Sequence, residues 1–468
     1  MTADRCDLGQ ASIDMLPDDI LLEVFYFYRE EKNDMFFTTE MWKPLVDVCG
    51  RWRQVIFASP RRLDLLLLCD VRTPVKKSLH IWPPLPITVH YSPKDEDDHA
   101  EGVENVIAAL EHRDRIFRID FDGLSASILE RFAAAMQEPL PALTHLCLLP
   151  YDMMAPVLPA AFLGGSAPAL QSLILDGIAY RALPELILSA RNLVLLHLGD
   201  IPNPAWQISL DEMLAYLCRL PKLEDLSLGF RYPRLHPHEG NPPPPARAVL
   251  PALTTFAFEG ESEYLEDLVS QIDTPSLNRL SIMFFNRLSF DIPQLHEFIS
   301  RTAKFGPLNR AFVEFYRSSV KVTLGSLGHL ELGIRHDRHD TTVWPVLLRV
   351  FMMAQLCNGL SSLLARVETL EIHGHWEVST LPMQFQGLFN PFVAVQSLYV
   401  SHELVPFVIL ALQDLIGESA TEVLPAMRSL FLAGPTPSGS ARKGIESFVT
   451  ARQLSDHPVA VQYWKGVW

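Results

Sequence analysis

One phrase organises most of this chain: an apolar residue, two variable residues, leucine, one variable residue, leucine. It is written Leu143-Thr144-His145-Leu146-Cys147-Leu148 and returns from Leu170, Leu193 and Leu223. Looser copies begin at Leu253, Leu277, Leu327, Val367, Val395 and Met427, and an early form at Ile116. The alternation predicts a short strand with one face buried and the other open. Successive phrases start 27, 23, 30, 30 and 24 residues apart, then 50, 40, 28 and 32. Between them, apolar residues at spacings of three and four predict helices over 211–220, 264–269 and 293–299. In the first of these, Met213, Leu214, Leu217 and Leu220 share a face. In the 50-residue gap, 311–316 and 320–324 both alternate around Arg317-Ser318-Ser319, so an extra strand pair is expected.

The amino end follows a different pattern. Leu16-Pro17-Asp18-Asp19-Ile20-Leu21-Leu22-Glu23-Val24-Phe25 sets Ile20 with Val24, and Leu21 with Phe25, at i,i+4 on a wide apolar helix face. Pro17 suits a first turn, and the two aspartates suit the positive end of the helix dipole. A second segment spaces Trp42, Leu45, Val48 or Cys49, Trp52 and Ile56 by threes and fours, which predicts one more helix, ended by Pro60. A module of about 45 residues without disulfide or metal is too small to close a core unaided. Its surplus apolar surface must be covered by the rest of the chain or by a partner's helices.

These residues resemble an F-box, the helical module that joins a protein to a cullin-type ubiquitin ligase. The family's Leu-Pro-x-x-Ile/Leu-Leu opening corresponds to Leu16, Pro17, Ile20 and Leu21, and its Val-Cys-x-x-Trp half to Val48, Cys49 and Trp52. The run 55–60, followed by Leu63 and Leu65, is similar to a large fungal F-box family. The resemblance implies that Leu16, Pro17, Ile20, Leu21, Val24 and Phe25 contact a Skp-type adaptor. It implies that Trp42, Leu45, Val48, Cys49, Trp52 and Val55 divide between adaptor contact and internal packing. The chain departs from the pattern in a long charged linker, 27–41, and in Gly50, which a helix interior resists by about 1 kcal/mol. The repeated phrase resembles the leucine-rich-repeat signature, in which each unit adds a strand and a return leg to a shared leucine ladder. The asparagine usual after the third leucine is absent.

The expected architecture is therefore α/β. A short N-terminal helical F-box-like module (12–62) is followed by a linker or cap (63–102), an irregular leucine-rich-repeat solenoid (103–434) and a C-terminal capping segment (435–468). At 468 residues and 48% hydrophobic content, the chain can bury a large core. Its net charge of −16 repels phosphate backbones and anionic lipid, so neither nucleic acid nor membrane is an expected partner. Six cysteines (Cys6, Cys49, Cys69, Cys147, Cys218, Cys357) lie far apart without a Cys-x-x-Cys, as in a reducing compartment. No secretory signal is expected. The apolar runs 343–365, interrupted by Arg349, and 404–416 read as buried helices, leaving a cytoplasmic or nuclear protein.

No nucleophile elbow, Walker loop, dinucleotide fingerprint or His-Glu-x-x-His occurs. His336-Asp337-Arg338-His339-Asp340, His236-Pro237-His238 and His373-Gly374-His375 read as surface groups, and Ser166 as a loop residue, so no catalytic residue, metal or cofactor is expected. The function these readings imply is a non-catalytic substrate receptor of an SCF-type ubiquitin ligase. The module would bind the Skp-type adaptor and through it a cullin, and the array would hold an unknown target protein. The alternatives are an interaction scaffold that uses the same modules without degradation, and an enzyme with an unrecognised site in the array. The expected outward strand positions (His145, Asp176, His197, Asp225, Glu259, Arg279, Glu331, Glu371, His373, Tyr399) are mixed in charge and name no target.

Overall fold

The computed structural model describes residues 13–30, 39–60, 65–71, 75–92, 99–151, 156–179, 183–201, 209–231, 247–285, 291–305, 308–325, 329–335, 346–374, 385–413, 419–434 and 439–464. The histidine clusters at 236–238 and 336–340, His375, Cys6, Leu63, Leu327 and most of the charged linker lie outside the described residues. The fold is mixed α/β with a large, mostly parallel sheet that does not close into a barrel. The chain divides into two compact units, 1–173 with 181–190, and 174–180 with 191–468.

In the first unit, α1 (Asp18–Glu30), α2 (Thr39–Val46) and α3 (Gly50–Ala58) precede four parallel strands, β1 (Leu67–Cys69), β2 (Ile87–Tyr91), β3 (Ile116–Leu124) and β4 (His145–Pro150). Helices α4 (Val75–Ile81), α5 (His99–Leu110) and α6 (Ala126–Ala135) form the connections. The sheet thus starts at Leu67, within the stretch expected as a linker or cap. β5 (Ser172–Asp176) contributes residues to both units, and α7 (Leu183–Ser189) belongs to the first.

The second unit continues with β6 (Leu195–Ile201), α8 (Leu210–Leu217), β7 (Asp225–Phe230), β8 (Ala248–Val249), β9 (Thr255–Gly260), α9 (Ser262–Gln271), β10 (Ile272–Asp273) and β11 (Arg279–Phe285). Next come α10 (Pro293–Arg301), β12 (Arg310–Phe315), β13 (Ser319–Leu324), β14 (Leu330–Arg335), α11 (Val346–Gly359) and α12 (Ser361–Leu364). It closes with β15 (Thr369–Gly374), α13 (Gln386–Phe389), β16 (Ser397–Val400), α14 (Val405–Gln413), α15 (Ser419–Glu422), β17 (Ser429–Ala433), α16 (Ser440–Leu454) and β18 (Ala460–Trp464).

The repeated phrase builds each strand by the same device. Its first apolar residue ends a tight turn: the N–H of Leu223 donates to Leu220 (3.2 Å), of Leu277 to Thr274 (3.1 Å), of Val367 to Leu364 and of Met427 to Leu424 (both 3.0 Å). The strand begins two residues later, at Asp225, Arg279, Thr369 and Ser429. One carbonyl then accepts two successive N–H groups of the next strand. Glu224 takes Thr254 (2.9 Å) and Thr255 (3.0 Å), Thr254 takes Asn278 (2.9 Å) and Arg279 (3.0 Å), and Glu368 takes Gln396 (2.8 Å) and Ser397 (3.1 Å). These bonds set the register in which Leu226, Phe256, Leu280 and Leu330 align as one buried row.

The expected extra strand pair is present, and a third strand joins it. β12 and β13 are antiparallel, as are β13 and β14. β14, rather than β12, lies beside β11, and β12 lies beside β15. The reason is directional. A lone hairpin would leave the chain running against its neighbours, whereas a third strand restores the parallel sense.

The return helices carry local stop and start signals. Ser209 and Glu212 form a capping box at α8. The start of α10 is capped from another helix: Glu266 of α9 accepts the N–H groups of Gln294 and Leu295, both at 2.7 Å. Burial holds the Glu266 carboxyl above its ordinary range, while those two bonds oppose the rise. Arg349, almost fully buried, donates to the carbonyl of Tyr316, so this charge inside α11 ties the helix to the residue after β12. Among the described residues, no helix is long and apolar enough to cross a membrane. Glu266→Ala is expected to lower stability by about 1–3 kcal/mol, read from the urea midpoint, with Glu266→Gln retaining part of the cap.

Candidate functional site

Among the described residues, the amino end exposes six large apolar side chains: Ile13, Met15, Ile20, Val24, Phe27 and Val48. Helix α1 starts directly after Pro17, whose carbonyl accepts the N–H groups of Ile20 and Leu21 at 3.1 Å. Arg51 of α3 donates to the carbonyl of Leu16 and to Asp18, the latter at 2.7 Å, and so pins the Leu-Pro opening against α3. Both ends of that ion pair are well exposed, so its contribution to stability is at most about 1 kcal/mol.

Helix α1 is apolar on two sides. One side faces inward: Leu21 and Phe25 are 0% exposed and Leu22 is buried. The Phe25 ring meets Trp52 of α3 edge-on, with centroids 5.0 Å apart. The other side faces outward, with Ile20 47% exposed, Val24 45% and Phe27 63%. The spacings of four and three set these residues in one stripe along the helix. Ile13, Met15 and Val48 are exposed as well.

Residues 42–56 form two helices instead of the single expected one. α2 ends at Val46, Cys49 adopts extended backbone, and α3 begins at Gly50. The Cys49 thiol caps α3 by accepting the N–H of Trp52 at 3.4 Å. Gly50 therefore occupies the first position of a helix, where its low propensity matters little. α2 packs against α3 and β1.

The residues named from the sequence fall into three groups. Ile20, Val24, Val48 and Pro17 are exposed. Leu16, Leu45, Cys49 and Trp52 are half-buried. Leu21, Phe25, Trp42 and Val55 are buried by this chain itself. Sequence reasoning missed Phe27, although its place three residues after Val24 was a readable signal. It also missed Arg51, whose role depends on a contact between distant segments.

A second surface is the open face of the strands in the second unit. The outward positions alternate as expected, but Glu371 is fully buried: it stands between Phe312 and Tyr399 in the sheet register, and Arg310 Nε donates to its Oε1 at 2.7 Å. The Arg310 guanidinium also lies over the Phe312 ring at 4.9 Å. His373 Nε2 is 3.6 Å from the other Glu371 oxygen. Lys321 pairs with Glu314 (3.2 Å) and Glu331 (3.6 Å). Burial alone would lower its pKa, and those two acids raise it above the ordinary lysine value. Tyr399 and Phe431 stack at 4.2 Å. Arg310, Lys321 and Arg335 on this face are paired with Glu371, with Glu314 and Glu331, and with Glu259.

Among the described residues, no group of three or more His, Cys, Asp or Glu could hold a metal ion. The described cysteines are free thiols. Burial pushes Cys69 up to about 12, and Cys357 also rises through burial. Cys218 is exposed. No protein-family model matches the chain, and no curated protein matches it.

Two outcomes follow. Phe25→Ala should destabilise the protein by about 3–5 kcal/mol, while Ile20→Ala and Val24→Ala should stay within about 0.5 kcal/mol, as read by thermal unfolding. Iodoacetamide should label Cys218 in the native protein, and Cys69 and Cys357 only after unfolding, as mapped by mass spectrometry.

Proposed function

We propose that this chain is the substrate-recognition subunit of an SCF-type ubiquitin ligase. Helices α1–α3 act as an F-box-like module that docks on a Skp-type adaptor and through it on a cullin. The strand-and-helix units that follow act as an irregular leucine-rich-repeat array that holds a target protein. Chemistry belongs to the conjugating enzyme, and the receptor contributes proximity by raising the effective concentration of a target lysine. The cytoplasm or nucleus is the matching location.

The observation that carries this reading is the Ile20–Val24–Phe27 stripe, outward on a helix whose opposite side is closed by Phe25 on Trp52. An amphipathic surface of this kind fits a partner's apolar groove. At about 25 cal/mol per Å², covering the patch contributes several kcal/mol, a useful share of an interface. The Leu16-Pro17 opening, held by Arg51, supports the same reading. The open strand face, with its internally paired charges, fits a target of mixed surface chemistry.

Substitution at Leu21 or Trp52 would report on folding, so the test uses the outward residues. The full chain should co-elute with purified Skp-type adaptor in size exclusion. The double variant Ile20→Glu/Val24→Glu should lose at least about 100-fold in affinity with its cooperative unfolding preserved. Undiminished binding by that variant, or no binding by the parent chain, would overturn the proposal.

A further inference from the structure

The first unit contains a half-open cavity of about 700 Å³ that the proposed receptor role does not use. Among the described residues it is lined by Pro60, Leu65 and Leu66 on the way into β1, by the turn Pro84, Leu85 and Pro86 before β2, and by Phe117 of β3. The volume falls within the range of about 300–1,000 Å³ that small-ligand sites occupy.

The described lining has no charged or polar side chain. Its three prolines have no N–H to donate. Several of its carbonyls are already engaged: Pro60 accepts the N–H of Leu65 (3.0 Å), Pro86 that of Leu67 (2.8 Å), and Phe117 that of Thr144 (2.9 Å). The Leu85 carbonyl accepts Arg115 Nε (2.9 Å), and the Leu85 N–H donates to Pro83 (2.6 Å). Thr144 Oγ1 adds a second bond to the Phe117 carbonyl at 3.0 Å.

We propose that this cavity binds one small, uncharged, hydrocarbon-rich molecule. An ion would be desolvated there with no charged side chain among the described lining residues to meet it. A peptide strand would bring N–H and C=O groups, and no described side chain of the walls can pair with them. A neutral hydrocarbon body requires nothing from the walls except contact, which leucine, proline and phenylalanine supply. Binding in this cavity is independent of adaptor binding.

The probe is Nile red, a neutral dye whose fluorescence rises in apolar surroundings, titrated into the full chain. Saturable binding of one dye per chain is expected, with displacement by decanol and none by decanoate at equal concentration. Leu66→Trp and Phe117→Trp replace half-buried lining residues with a larger side chain, and each should weaken dye binding at least about tenfold. Ile20→Glu/Val24→Glu should leave it unchanged, which separates the cavity from the exposed stripe on α1. The dye should also raise the unfolding temperature of the parent chain by linkage. Unsaturable fluorescence, equal competition by decanoate, or parent-like affinity in a variant that still unfolds cooperatively would overturn the proposal.

Discussion

A short strand can bury its inner face only if its neighbours present theirs at the same height. In the second unit, register meets that condition: Leu228, Phe258, Ile282 and Leu332 stand opposite one another, as do Leu226, Phe256, Leu280 and Leu330. A slip of one residue would turn Ser227, Ala257, Ser281 and Glu331 inward and expose the leucines. The turn before each strand fixes where it starts, and the doubly accepting carbonyl fixes how it meets its neighbour. The three-stranded insertion obeys the same constraint, since only an odd number of strands returns β14 and β12 to the parallel sense of the sheet.

The same economy of covered surface gives the amino end its meaning. Helix α1 has apolar side chains on two sides, and the chain buries only the side that carries Leu21, Leu22 and Phe25. On the inner side the Phe25 ring meets Trp52 edge-on. Ile20, Val24 and Phe27 are thus not needed for the module's own packing, and a docking face is the use we assign to them. The cavity beside β1 is a separate case, because the side chains of its described lining are all apolar.

How much was legible in the sequence depended on how local the cause was. The strand starts could be read because the phrase encodes both the turn and the alternation. The β12–β13 hairpin could be read for the same reason, around Arg317-Ser318-Ser319. The place of β14 beside β11 could not, since it follows from pairing between distant strands. The break at 47–49 was hidden because Val48 or Cys49 continues a spacing of threes and fours through a non-helical stretch. The Cys49-Gly50 pair was the signal against it, a cap followed by a poor helix former. Glu371 was placed on the open face, but its burial involves contacts between strands, among them the bond from Arg310, 61 residues away. In α1 the apolar positions were visible, and which of them stay bare was not. That choice is made by Trp52 and the packing of α3.

Amide hydrogen exchange of the full chain, with and without a Skp-type adaptor, tests the docking claim most directly. The account predicts that the adaptor slows exchange within 16–30 and around 47–53 while strands β6 to β18 exchange at unchanged rates. Protection confined to those strands, with α1 unaffected, would contradict it.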